Sequence, residues 1–186
     1  TIDPARASRS PAAPVGPSSN HTTHYSVVDP FGNAVSTTTT LNLNYGSGVW
    51  VRGAGFFMND EMDDLATSPG KPNAFGLIEG EQNAVAPRKR PLSSMTPTIV
   101  LDSARRVLLV VGGAGGPTII SGTTQVTVNV IDHRMTLADA MRAPRLHHQA
   151  LPDNLQYERG GLTPAALAAL RGMGHALDEA GSLVTM

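Results

Sequence analysis

The chain has 186 residues, 40% of them hydrophobic and 16% charged, with a formal net charge of −1 and no cysteine. That length buries a core and sets an expectation of one domain, while the near-neutral balance excludes a basic face for nucleic acid and an acidic tail. Thiolate catalysis, disulfides and cysteine metal sites are excluded, and no apolar run approaches the roughly 20 residues that cross a bilayer.

Residues 1–21 are a polar stretch with Asp3-Pro4, Ser10-Pro11 and Gly16-Pro17-Ser18-Ser19, a linker composition. No initiator Met or signal pattern opens the chain, and residues 181–186 end as a turn entering a strand, so the sequence reads as an internal fragment of a longer protein. At Thr22 the composition changes abruptly. Residues 24–29 predict a strand, Pro30-Phe31-Gly32-Asn33 a turn, and residues 34–41 the antiparallel partner. Gly46-Ser47-Gly48 is a hinge, followed by short apolar runs at 49–51 and 55–58 and an acidic cluster at 59–64. Residues 66–91 form a Pro/Gly/Asn-rich loop of the length used for lids and binding loops.

A second strand pair is predicted at 97–101 and 107–111, and the continuous apolarity of the latter predicts burial on both faces. After Gly112-Gly113-Ala114-Gly115-Gly116-Pro117, a helix is expected from 118 to 133. Its β-branched residues favour a strand by propensity, so the expectation rests on length and on the Gly-Pro entry. A short helix at 136–142 should end before Pro144. Strands are expected at 145–149 and 155–158, then a helix at 163–173 capped by Thr163 and stopped at Gly174. The cationic clusters Arg88-Lys89-Arg90 and Arg105-Arg106 fall in a loop and a turn and read as solvated surface.

Several constellations carry chemistry. If the chain is cut before Thr22, the new α-amine and the Thr22 hydroxyl share one residue, and the amine serves as base for the hydroxyl. The glycine run at 112–116 fits a phosphate cradle, a ligand-free tight turn or an oxyanion hole, although no nucleotide-binding glycine motif is matched. Glu61 and Asp64 are one helical turn apart, as are Asp60 and Asp63; such a cluster binds a cation or a ligand ammonium, or simply solvates a loop. Ser93-Ser94, between Pro91 and Pro97, suits either ligand contact or turn satisfaction. The histidines show no metal-ligand spacing, and no metal or other cofactor is expected. Asn20-His21-Thr22 matches the glycosylation triplet, a pattern too short to weigh.

Taken together, TTHYSVVD, TLN, NDEMDD, Pro87 to Val100 (PRKRPLSSMTPTIV), GGAGG and APRLHHQ resemble the small subunit of γ-glutamyltranspeptidase. The resemblance spans Thr22 to Met186, with residues 1–21 similar to the end of the large subunit before the autoprocessing site. It implies a partial α+β fold, the αββα sandwich of N-terminal-nucleophile hydrolases. It implies Thr22 as nucleophile in cleavage after His21 and in turnover, with Thr40 orienting the Thr22 amine. Gly115 and Gly116 would supply oxyanion amides. Asn42, Glu61 and Asp64 would hold the substrate α-ammonium, and Ser93 and Ser94 its α-carboxylate. Tyr45 falls where many members place an aromatic over the pocket, and residues 66–86 resemble the family's lid loop. Pro117-Thr118 replaces the Ser-Arg or Thr-Gln usual after the glycine pair, and the large subunit's carboxylate-clamping Arg is absent from this chain.

The implied activity is hydrolysis or transfer of γ-glutamyl groups from glutathione and related compounds to water, amino acids or dipeptides, in partnership with the large subunit of the same precursor. Alternatives are an acylase of glutaryl-cephalosporin type and a non-catalytic binding remnant. A periplasmic or secreted location is the family's usual one in bacteria.

Overall fold

The computed structural model describes residues 22–186. Strands β1 (Thr22–Val28) and β2 (Ala34–Thr40) form an antiparallel hairpin that pairs Thr22 with Thr40 at its open end. The turn is closed by Asp29, whose carboxylate accepts from the amides of Phe31 and Asn33 at 2.9 Å each. The first strand thus begins two residues before the expected position, at the threonine that ends the linker composition. Two-residue strands β3 (Trp50–Val51) and β4 (Phe56–Phe57) pair next.

A second hairpin, β5 (Thr98–Leu101) and β6 (Val107–Val111), packs against the first. Ser36 Oγ donates to the Val111 carbonyl at 3.3 Å, and the imidazole of His24 fills the space where Gly112 has no Cβ. Helix α1 (Thr118–Ile131) lies against β6 and against α2 (Leu137–Arg142). Strands β7 (Leu146–His147), β8 (Leu155–Glu158) and β9 (Leu177–Ala180) make a three-stranded sheet, with α3 (Pro164–Gly172) inserted between β8 and β9. Among the described residues, no helix is long and apolar enough to cross a membrane.

The β-branched run of α1 is helical because tertiary burial outweighs propensity. Ile119 and Val126 are fully buried, and Leu109, Val111, Val126 and Ala140 form the core between β6 and the helices. Each of the buried Leu, Ile and Val side chains contributes about 1.5–3 kcal/mol on burial. The helix threonines satisfy themselves locally: Thr124 Oγ donates to Ile120 O and Thr127 Oγ to Thr123 O, both at 2.8 Å. α1 stops at Ile131, two residues early, and Thr163 caps α3 as expected.

Some expectations are corrected. β6 is not buried on both faces: Leu108 is 55% exposed, whereas Leu109 and Val111 on the other face are buried in the core with Val126 of α1. The strand at 145–149 shrinks to Leu146–His147, since Gln149 turns away to bond loop carbonyls. Strand β9 is parallel to β8, a pairing that its polar sequence LDEA did not announce. The chain after Gly181 forms only a bridge, Thr185 to Ala114, with amide bonds of 2.8 and 2.9 Å. The buried Glu158 carboxylate fastens this tail by accepting from the amides of Leu183 at 2.8 Å and Arg145 at 3.0 Å. The Arg145 guanidinium lies 3.4 Å from the same carboxylate.

Candidate active site

The end of the first hairpin opens into a cleft walled by Thr22, Thr40, Asn42, Asp64, Phe75, Ser93, Ser94 and Gly116. These residues come from separate parts of the chain, and the fold gathers them at one end of the stacked hairpins. Thr22 Oγ donates to Thr40 Oγ at 3.2 Å, a direct consequence of their cross-strand register. Thr40 Oγ also accepts from the Asn42 amide at 2.9 Å, so two donors fix its orientation. Asn42 itself is buried, has a left-handed backbone (φ 73°), and points its Nδ2 at the Asp60 carbonyl, 3.4 Å away.

The acidic segment forms a 3-10 turn at Glu61–Asp64, which puts Glu61 and Asp64 side by side. It is held to the hairpin end by the Asp60 carboxylate, which accepts from the Leu43 amide at 3.1 Å. Burial pushes the Glu61 carboxyl up to about 7, with the charges of Asp64 and Asp60 adding to it. Burial likewise pushes Asp64 up to about 6, reinforced by Asp63 and Glu79. Glu61 Oε1 is buried without a hydrogen-bond partner among the described residues. A cation placed among these carboxylates would relieve both the burial cost and the repulsion.

Gly115 and Gly116 sit where the chain turns from β6 into α1. Gly116 has φ 60°, and a Cβ there would come within 2.9 Å of the Phe75 ring. A Cβ on Gly115 would meet Thr118 Oγ at 2.5 Å and the Leu183 carbonyl at 3.0 Å. Glycine is therefore required at both positions on steric grounds. Neither amide donates to another described residue. The turn is braced from beneath by Thr118 Oγ, which bonds the carbonyls of Gly115 at 2.9 Å and Leu183 at 2.5 Å.

Of the residues singled out in the sequence, Thr22, Thr40, Asn42, Asp64, Ser93, Ser94 and Gly116 share the cleft wall. Glu61 is not among the wall residues but interacts with Asp64, and Gly115 lines an adjoining recess with Thr118 and His147. Tyr45 is not on the wall. It is 67% exposed and packs on Phe57, ring centroids 5.1 Å apart. The aromatic on the wall is Phe75, from the 66–86 loop that the resemblance marked as a lid, although nothing in the sequence singled out Phe75 itself. That loop is ordered by turn chemistry: Asn73 Oδ1 accepts from the amides of Phe75 and Leu77 at 3.0 Å each. His21 lies outside the described residues, as does the expected cleavage point before Thr22.

Residues 1–185 match the sequence model for gamma-glutamyltranspeptidase. The chain is 49% identical over 164 residues to the glutathione hydrolase proenzyme of Escherichia coli K12, covering 87% of this chain. It spans 28% of the length of that relative. A solved mutant of Helicobacter pylori gamma-glutamyltranspeptidase superposes with a TM-score of 0.83 at 48% identity, covering 87% of both chains. A cephalosporin acylase from Bacillus halodurans superposes with a TM-score of 0.69 at 25% identity, over 84% of this chain and 27% of that one. The stacked hairpins with α1 on one side are thus the small-subunit share of the N-terminal-nucleophile hydrolase sandwich.

Proposed function

Because the chain belongs to the gamma-glutamyltranspeptidase family, we propose that it is the catalytic portion of a γ-glutamyl hydrolase/transferase acting on glutathione and related amides. The observation that carries this reading is one cleft holding both the Thr22 hydroxyl and Asp64, whose raised carboxyl is coupled to the raised Glu61 next to it, with Glu61 Oε1 left without a partner among the described residues. A γ-glutamyl group is a zwitterion joined to a scissile amide. It asks for anions at its ammonium, donors at its carboxylate and a nucleophile at its γ-carbonyl. Asp64 with Glu61 and Asn42 would meet the first need, Ser93 and Ser94 the second, and Thr22 the third.

In this mechanism the precursor is cut between His21 and Thr22, with residues 1–21 left at the end of the large subunit. The freed Thr22 amine, with a reference pKa of about 8, takes the hydroxyl proton as Oγ attacks the γ-carbonyl. The tetrahedral oxyanion is received by the unengaged amides of Gly115 and Gly116. The protonated amine then hands its proton to the leaving nitrogen, and a γ-glutamyl ester of Thr22 remains. Water resolves the ester as hydrolysis, and an amino acid or dipeptide amine resolves it as transfer. A glutaryl side chain, the acylase alternative, brings no ammonium and would leave the half-buried carboxylates without a counter-charge. A periplasmic or secreted protein is the location proposed with this activity.

The test is release of chromophore from a γ-glutamyl anilide by the processed full-length protein, with and without glycylglycine. Release that rises with the acceptor is expected. Turnover of a glutaryl anilide in preference to the γ-glutamyl one would overturn the reading in favour of an acylase. Edman sequencing of the smaller fragment should begin Thr22-Thr23-His24; an uncut chain with full activity would refute the processing step.

The carboxylates also predict a pH dependence. Their folded values, about 7 for Glu61 and about 6 for Asp64, lie above the ordinary 4.5 and 3.8. The folded apo protein therefore holds protons that an unfolded chain has released, and stability falls as pH rises through this window. An ammonium ligand reverses the preference by favouring the ionised pair. KM for γ-glutamyl donors should accordingly rise as pH falls from 7 to 5, and binding at pH 6 should release protons into the buffer. A KM flat across that range would show that the pair does not meet the ammonium.

A further inference from the structure

Beside the cleft, a chain of hydrogen bonds joins three elements that the reaction leaves unused. Gln149, just beyond β7, donates from Nε2 to the Phe75 carbonyl and to the Leu151 carbonyl, both at 3.0 Å. Its Oε1 lies 2.9 Å from His147 Nε2, and His147 Nδ1 lies 2.6 Å from Ser121 Oγ on α1. The directions follow by elimination. Carbonyls only accept, so the amide nitrogen must face Phe75 and Leu151, and Oε1 must accept from His147 Nε2–H. Neutral His147 then offers Nδ1 as acceptor to the Ser121 hydroxyl. The imidazole is buried, and burial holds it below the usual histidine range, in keeping with that neutral form.

The same loop tip is gripped from its other side. Asp63, next to the proposed ammonium anchor Asp64, accepts from the Ala74 amide at 3.1 Å, and its carbonyl accepts from Asn73 Nδ2 at 3.4 Å. Between these two grips lies Phe75, its ring against Gly116 and forming part of the wall that also holds Thr22.

We propose that Gln149 is a positioning residue for the γ-glutamyl reaction, pinning the tip of the 66–86 loop through the Phe75 carbonyl so that the Phe75 ring stays seated against Gly116 beside Thr22. The inference rests on the function proposed above. A tip left free would have to be ordered by each arriving substrate, and that ordering is charged against affinity; a pinned tip is ordered beforehand. Ser121 and His147 complete the device by linking Gln149 to the helix that starts at the glycine pair. The covering loop and the oxyanion turn are thereby tied to one framework.

Two variants of the processed full-length protein test this. Gln149→Glu keeps the acceptor for His147 but replaces the N–H donors by a carboxylate facing two carbonyls; Gln149→Met removes donor and acceptor together at similar length. In each, hydrogen exchange at the amides of Ala74, Phe75 and Leu77 should speed up by roughly threefold to tenfold, the worth of one hydrogen bond. Protection in β1 and α1 should be unchanged. KM for a γ-glutamyl anilide should rise by a similar factor while kcat stays within about twofold, because Thr22 and its partners are untouched. A purely structural role would instead reduce the active fraction, lowering apparent kcat at constant KM, and would overturn the proposal. So would unchanged loop exchange in a folded variant. If exchange quickens but the parent protein turns over no γ-glutamyl substrate, the assigned reaction fails while the loop tether stands.

Discussion

Thr22→Ala is expected to leave the full-length precursor uncut and its turnover of γ-glutamyl anilide lowered on the order of a thousandfold or more, whereas Thr22→Ser keeps measurable amounts of both. The hydroxyl is the only group on this side chain able to form the ester, and alanine removes it without disturbing the strand pairing with Thr40. Serine restores the oxygen but lacks the methyl that restricts χ1, so its hydroxyl is held less firmly toward Thr40 Oγ, 3.2 Å away in the parent. The two reactions should separate in pH dependence. In the precursor the nitrogen of Thr22 is a peptide nitrogen and cannot act as base. Only turnover should therefore require deprotonation of a group titrating near the reference α-amine value of about 8. Gel analysis of processing and initial-rate measurements across pH would decide it; superimposable profiles would count against the amine as base.

Asp64→Asn is expected to lower kcat/KM for γ-glutamyl substrates about tenfold to a hundredfold, mainly through KM. A hydrogen bond to a charged group is worth roughly 1.5–3 kcal/mol, which sets that range. Folding should not suffer. The bond from Asn83 Nδ2 goes to the backbone carbonyl of Asp64, at 2.7 Å, and survives the substitution. The Asp64 carboxylate is moreover crowded by Asp63, Glu79 and Asp60, so removing its charge relieves repulsion, and the thermal midpoint should hold or rise. The control is a substrate without the α-amine, on which the variant should perform at least as well as the parent. Parent-like kcat/KM on the γ-glutamyl substrate, or equal losses on both substrates, would remove Asp64 from the role of ammonium anchor.

Much of the fold was legible wherever a local rule dominated. The Pro-Phe-Gly-Asn turn fixed the first hairpin, and the apolar runs around Asp102–Arg106 gave the second. The Gly-Pro entry placed the start of α1 against the preference of its own β-branched residues. What stayed illegible depends on partners distant in sequence. β9 is polar and becomes a strand only because β8 offers a free edge. Leu108 reads as core by composition, yet its face is open among the described residues. In the cleft, Thr22, Thr40 and the acidic pair carry recognisable chemistry. Phe75 and Gln149 do not: a lone aromatic in a Pro/Gly-rich loop and a glutamine after two histidines acquire meaning only when the loop folds back onto the glycine turn. Tyr45 was the more conspicuous aromatic and proved to belong to the Phe57 cluster.

The interlock of His24 with Gly112 carries a consequence for how such a protein diversifies. The ring occupies the volume that any side chain at position 112 would claim, and His24 stands two residues from Thr22 on the same strand. A mutational path that enlarges residue 112 first drives its new side chain into the His24 ring and must displace that ring from its bonds to Thr38 Oγ at 2.8 Å and Ser26 Oγ at 3.1 Å, two residues from the Thr22 hydroxyl. A path that trims residue 24 first gives up those two bonds but opens the space without a clash. The two positions should therefore change in a fixed order across descendants, making this pair an epistatic gate at the junction of the hairpins.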